Sequence, residues 1–328
     1  MKTKYIGIDV HSSTCSFCVL DHQGIEIDQR VLVTNGRLIV NYIQSLGDNV
    51  KIAFEECDLS CWLFDILRHH VREVIVCNPV ANAQYKRAKT DKLDARNLAQ
   101  LLRGNFLRPV FHSGSQREKF RILVSGYDDT VQELVRLKNR IKALKRRTRS
   151  GQETFKIDYA HFVTQQFSDW LVHLERMKQD YQKEIEKQVN HFPETKYLVS
   201  IPGIALIRAA EIIAHVVDPH RFKNKYTFFS YCGLVRHKRQ SAGRDYGSVR
   251  IFGNRSLKCV FKMAMHSALA GGTGCLKQYY DALRTRGLGE QAARNAVARK
   301  IAAVALALWR NKQLFNEQLI LNGLPVKA

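Results

Sequence analysis

The sequence predicts a mixed α/β domain over residues 1–110, a pair of long helices over 111–192 and a mainly helical region over 193–328. Three observations carry that division. Short β-type runs alternate with helical spacing only in the first third, as a sheet with crossover helices requires. Apolar residues recur at three/four spacing through 117–149 and again through 167–189, as in a helical hairpin or coiled coil. Amphipathic and Ala-rich helical patterns then occupy 255–270, 275–286 and 290–320.

In the first third, residues 4–10 read as a buried strand ending in aspartate and valine, and residues 14–20 as a second strand. A turn at Asp21–Gly24 leads to a third strand over 25–33, and the short connections make an antiparallel meander. Residues 36–46 have helical spacing, 50–54 form a fourth strand, 59–70 a helix, and 73–77 a fifth strand closed by Asn78-Pro79. The segment Lys89-Thr90-Asp91-Lys92-Leu93-Asp94 opens another helix, with Thr90 or Asp91 as its N-cap and an end near Arg103.

Composition narrows the function. The chain has 328 residues, 52 Lys+Arg and 30 Asp+Glu, for a net charge of +22. That surplus favours a polyanionic partner. It is unevenly spread, with net charges of +2, +5 and +15 over the three regions in order. No apolar run approaches the ~18 residues of a membrane span, and the N-terminal residues lack a signal-peptide pattern, so the expectation is a soluble, cytoplasmic protein. The eight cysteines have no zinc-finger spacing and read as buried, reduced thiols.

The element order, with Asp9 closing the first strand, resembles the RNase H-like fold of RuvC-type nucleases. That resemblance puts the fourth strand beside the first, so Asp9 and a glutamate after Phe54 emerge at one sheet edge. Glu55 holds the first position past the apolar run, as Asp9 does; Glu56 is the alternative. Asp91 and Asp94 are three apart and share a helix face. Clustered carboxylates repel unless a cation neutralises them, and an all-oxygen donor set suits Mg²⁺ or Mn²⁺.

Farther along, eight Lys/Arg and no acid lie between Arg136 and Arg149: Arg136, Lys138, Arg140, Lys142, Lys145, Arg146, Arg147 and Arg149. They read as a nucleic-acid contact or as a solvated helix face. The Pro202-Gly203 turn resembles the hairpin of a helix-hairpin-helix motif, whose backbone approaches a phosphate; a plain turn between packed helices fits equally. Ser241 stands in a Gly-punctuated loop among Lys238, Arg239, Arg244, Arg250 and Arg255, where arginines would stabilise the charge of phosphoryl transfer. Ser248 and Ser256 are rival nucleophiles.

Taken in order, Tyr5-Ile-Gly-Ile-Asp9, Phe54-Glu55, Asn78-Pro79, Lys89 to Arg96, Ser200-Ile-Pro-Gly-Ile204 and Ser241-Ala-Gly243 resemble the DEDD transposases of the insertion-sequence one-hundred-ten group, to which Piv DNA invertases are related. The resemblance implies a RuvC-like domain, a coiled coil and a C-terminal transposase domain. It implies a metal-binding tetrad of Asp9, Glu55, Asp91 and Asp94, and a serine, Ser241 here, that forms a covalent phosphoserine link to DNA. It further implies homo-oligomers (dimers or tetramers), donor and target DNA, and a structured bridge RNA as guide. A Piv-type invertase without guide RNA, a metal-dependent nuclease using water, and a non-catalytic nucleic-acid-binding protein are the alternatives.

Overall fold

The computed structural model describes residues 2–82, 90–149, 159–250 and 253–321. It divides into two compact units, residues 1–114 and 115–328. The sequence pattern implied three regions; in the structure the long helices belong to the same unit as the C-terminal helices.

The first unit contains β1 (Lys4–Val10), β2 (Thr14–Leu20), β3 (Glu26–Val33), α1 (Gly36–Ser45), β4 (Val50–Glu55), α2 (Ser60–Leu67), β5 (Glu73–Cys77), α3 (Pro79–Asn82) and α4 (Asp91–Arg103). The five strands form one mixed sheet in the order β3-β2-β1-β4-β5. β1–β2 and β2–β3 pair antiparallel, while β1–β4 and β4–β5 pair parallel. Strand alternation sorts the side chains onto two faces. Ile6, Ile8, Phe17, Ile52 and Phe54 join a core with Ile39, Tyr42, Ile43, Leu63 and Leu67, so α1 and α2 cover that face. Tyr5, Cys18 and Leu20 pack with Ala95 and Ala99 of α4 on the other face.

Gly7 explains the close seating of α4. A Cβ placed there would lie 1.9 Å from the Ala95 carbonyl oxygen and 2.6 Å from the Ala99 nitrogen. Only glycine lets the helix backbone press directly on the strand. Local chemistry sets the helix starts: the Asn35 side chain accepts from Arg37 N and Leu38 N, and Thr90 Oγ1 accepts from Leu93 N.

The second unit begins with α5 (Gln116–Arg149) and α6 (Ala160–Val189). Leu134, Leu137 and Leu174 form a small core between them. Their other ends supply Phe120, Val124, Tyr127, Ile185 and Val189 to the main core of this unit. There follow α7 (Thr195–Val199), α8 (Leu206–Val216), α9 (Lys225–Tyr231), β6 (Arg236–Ser241), β7 (Arg244–Arg250), α10 (Arg255–Ala270), α11 (Cys275–Thr285), α12 (Glu290–Asn311) and α13 (Gln318–Leu321). The Ala-rich α12 buries Ala293, Val297, Ala298, Ile301, Ala302 and Ala305 against the core, the close packing its small residues imply. Buried Glu194 accepts a two-pronged ion pair from Arg117, with Nη2 to Oε2 at 3.2 Å.

A polar node sits where α5, α8 and α10 meet. Burial pushes the Glu211 carboxyl up to about 8, and neighbouring Asp128 adds to the shift. Burial also acts to raise Asp128, but hydrogen bonds from His215, Glu211 and Ser256 outweigh it and hold this carboxylate low. One proton is thus held between two carboxyls.

Two expectations need correction. Residues 236–250 form a two-stranded antiparallel hairpin rather than an irregular loop. Its turn consists of Ala242 (φ 48°) and Gly243 (φ 76°), two successive positive-φ positions that reverse the chain tightly. The cysteines are not uniformly buried either: Cys15, Cys18, Cys77, Cys232 and Cys275 are, but Cys57, Cys61 and Cys259 are exposed. Cys57 and Cys61 flank the start of α2, where the chain leaves the sheet, and Cys259 of α10 lines a cavity with Asp128 and Glu211.

Candidate metal centre and serine arm

The carboxylate cluster grows from sheet register. Gly7 faces α4, and Asp9 lies two residues on, so it shares that face. Ile8 pairs with Phe54 in the parallel ladder, which sets Asp9 and Glu55 side by side at the C-terminal ends of adjacent strands. Ala53 pairs with Gly7, so Glu55 projects to the α4 side together with Asp9. Glu56 instead comes within 3.9 Å of His112 Nε2, and its backbone N–H donates to the Cys77 carbonyl.

α4 brings the other two acids. Capped by Thr90, it carries Asp91 and Asp94 in its first turn, where the helix dipole favours negative charge. Asp91 is exposed, whereas Asp94 is half-buried and its Oδ1 is fully enclosed without a hydrogen-bond partner. Burial raises the Asp9 carboxyl above its usual range; His11 lowers it, and Asp91 and Asp94 raise it.

His11 is a member that sequence reasoning did not single out. Its Nε2 lies 3.2 Å from Asp9 Oδ2 and 3.7 Å from Asp91 Oδ1. One donor atom each from Asp9, His11 and Asp91 falls within a 4.8 Å cluster. The signal was present, because Asp9 and His11 are two apart at a strand end and alternation puts them on one side. The donor set fits a divalent cation on two counts. An enclosed carboxylate oxygen without a donor is costly unless something positive satisfies it, and Asp9, raised first by burial and then by the nearby Asp91 and Asp94, would have its negative charge favoured by such an ion.

Ser241 is exposed at the last position of β6, paired with Arg244 across the turn. Arg244 is exposed as well. The side chains of Lys238, Arg239, Arg250 and the rival Ser248 lie outside the described residues, although their backbones are in the hairpin. Ser256 belongs to the Asp128 node in α10, and Arg255 beside it lines a cavity with Arg208 and Glu211.

The basic run on α5 is solvent-facing at Arg136, Lys138, Arg140, Lys142, Lys145 and Arg146; the side chains of Arg147 and Arg149 lie outside the described residues. Arg136 is ion-paired with Glu133, and Lys138 with Glu175 of α6 at 3.0 Å. Gly203 has φ +90°, and a Cβ there would lie 2.2 Å from the Ala264 carbonyl oxygen, so this turn is pressed against α10. No helix among the described residues is long and apolar enough to cross a membrane.

Residues 6–148 match the IS110-type DEDD profile described as "Transposase", and residues 195–281 match "Transposase IS116/IS110/IS902 family". A protein of Sinorhizobium fredii named as a transposase, y4qE, is 25% identical over 213 residues, covering 62% of this chain and 55% of that protein. The uncharacterised 44.8 kDa protein of insertion element IS116 in Streptomyces clavuligerus is 30% identical over 143 residues, covering 43% of this chain and 35% of its own length. The chain thus aligns with about half or less of the length of these curated relatives. Both profiles fall in the expected order along the chain, one over the carboxylate edge and one over the helical unit, and the chain belongs to the IS110-type DEDD transposase family.

Proposed function

We propose that this chain is a DNA transposase or site-specific recombinase that cuts and rejoins strands with a divalent-metal carboxylate centre and a serine nucleophile. The observation that carries the reading is the convergence of Asp9 and Glu55, on adjacent parallel strands, with the α4 turn that holds Asp91 and the enclosed Asp94 oxygen. The sheet order 3-2-1-4-5 supports an RNase H-like domain, and paired α5 and α6 support a coiled coil. In this reading residues 1–110 hold the metal, 111–192 present the α5 cations, and 193–328 carry the serine arm.

Asp9, Glu55, Asp91 and Asp94 would hold Mg²⁺ or Mn²⁺, with His11 beside Asp9 and Asp91. Such an ion, when bound, supplies Lewis-acid stabilisation of charge on the phosphoryl oxygens. Asp9 and Glu55 keep their geometry because the ladder fixes both backbones. Ser241 Oγ forms a bond to phosphorus while one ester P–O bond of the DNA strand breaks; the hydroxyl proton leaves, and the departing oxygen takes one up. The reverse step, with the hydroxyl of another strand, rejoins the backbone and frees the serine. Donor and target DNA are the substrates, a bridge RNA is the guide, and the working form is a homo-oligomer in a prokaryotic cytoplasm.

Strand-exchange assays with Mg²⁺ test this. Asp9→Ala and Ser241→Ala should each abolish exchange, and wild type should yield a DNA–protein adduct that Ser241→Ala lacks. An adduct that persists in Ser241→Ala rejects the serine, and cleavage without adduct in wild type supports a water-using nuclease. Sequencing nucleic acid that co-purifies with the tagged chain and its native flanking DNA separates a guided recombinase, which retains a discrete RNA, from an invertase without one.

A further inference from the structure

At the foot of the serine arm lies a cavity of about 400 Å³ lined by Gly233, Leu234, Val235, Arg236, Lys258, Lys262, Asn295 and Arg299. Four of these are cations, and none of the described lining residues is acidic. They come from three elements: Arg236 begins β6, Lys258 and Lys262 are one turn apart on α10, and Asn295 and Arg299 are one turn apart on α12. The floor is rigid. Gly233 and Gly253 meet backbone to backbone, a Cβ on Gly253 would fall 2.5 Å from Gly233 N, and Asn254 N donates to Tyr231 O at 2.7 Å. The Arg299 guanidinium is tied to the Leu234 carbonyl at 3.4 Å, and Lys258, Lys262, Asn295 and Arg299 are half-buried.

Like charges spaced four apart on a helix repel, and their convergence with Arg236 and Arg299 in a concave site raises the local potential further. We propose that this cavity is a phosphodiester-binding site that seats the DNA backbone next to the serine arm. A lone phosphate carries only one to two charges, whereas duplex DNA brings a charge every ~1.7 Å of axis to a site lined by four cations. From Arg236 to Ser241 the strand spans roughly 17 Å, about five base pairs of rise, so the same duplex reaches both places. The site rests on the reading that the chain handles DNA, but not on the serine being the nucleophile.

The test measures affinity of the full chain for a 40-base-pair duplex and for a 40-nucleotide RNA of the same sequence, from 0.05 to 0.3 M salt. In Lys262→Gln/Arg299→Gln, loss of two phosphate contacts should lower the slope of log affinity against log salt by about 1.8, roughly a 60-fold weakening at 0.1 M. Lys262→Arg/Arg299→Lys should keep the wild-type slope. Arg286→Gln/Lys183→Gln, exposed cations elsewhere in the unit, should change it by less than about half a unit. If the double glutamine variant fails to fold by circular dichroism, Lys262→Gln alone should lower the slope by about 0.9. An unchanged slope, an equal loss in the control, or a loss confined to RNA overturns the proposal. DNA binding with normal slope loss but no covalent adduct would remove the serine mechanism and leave this site standing.

Discussion

The carboxylate edge and the serine arm put their key groups on opposite kinds of support. Asp9 and Glu55 sit at the ends of strands directly after the fully buried Ile8 and Phe54, and Asp94 rides on a helix pressed against Gly7. Ser241 is at the tip of an isolated hairpin in which residues 241–247 are all exposed. A metal centre of the kind proposed needs several donors fixed at once, and the carboxylate edge offers them where packing leaves little freedom. The nucleophile proposed at Ser241 would need only its own oxygen and an approach to the substrate, so a slender arm would suffice.

That contrast can be broken most sharply with metal-dependent stability. Wild type should gain about 2.7 kcal/mol against thermal unfolding at a Mg²⁺ or Mn²⁺ concentration one hundred times its dissociation constant. Asp94→Ala should lose this gain while becoming more stable than wild type in chelator, because the enclosed oxygen without a partner is removed. Ser241→Ala should show the full metal gain, and calorimetry with and without chelator reads all three.

A second prediction follows from close seating. Gly7→Ala should cost about 1–3 kcal/mol, because the methyl would overlap the Ala95 carbonyl and drive α4 off the strand. The same change should abolish the metal-dependent gain although no donor is altered. Denaturant unfolding with and without metal decides it; a variant that unfolds easily but still gains from metal would show that α4 is not positioned this way.

The third acts in the helical unit. Glu211 is raised by burial, so the folded state holds a proton there that the unfolded state releases nearer the ordinary carboxylate range. The contribution is therefore complete below that range and disappears as pH rises through about 8. Glu211→Gln should flatten this decline, by on the order of 2–3 kcal/mol between pH 5 and pH 9. Thermal midpoints across that range should converge at low pH and separate at high pH. Smallest is Glu56→Gln, which should leave strand exchange within about twofold, since Glu56 faces His112, while Glu55→Gln should abolish it.

Much of the carboxylate edge was legible because it is written locally. A strand that ends in aspartate, and a capped helix with acids at its first and fourth positions, each declare themselves within a few residues. The pairing of β1 with β4 is what the resemblance of the element order to the RNase H-like fold implies, and the sheet has it. The histidine two residues beyond Asp9 was overlooked because polar residues after a strand are ordinary. The hairpin was read as a loop because its residues are polar on both faces, so no alternating apolar pattern reveals a strand. The cationic cavity was hidden for a different reason: its walls are separated by up to about sixty positions along the chain and meet only through the packing of α10 and α12.

The Gly233–Gly253 contact has one more consequence, for how such an arm can change over time. The segment that carries Ser241 departs and returns at nearly the same point, so its two ends are already closed by the body of the protein. Extending a loop whose ends are pinned costs only about 0.6 kcal/mol for each doubling of length. Residues can therefore be added to or removed from the tip without disturbing α9 or α10. The distance from core to Ser241 is a quantity that selection can tune by insertion and deletion, independently of the fold that supports it.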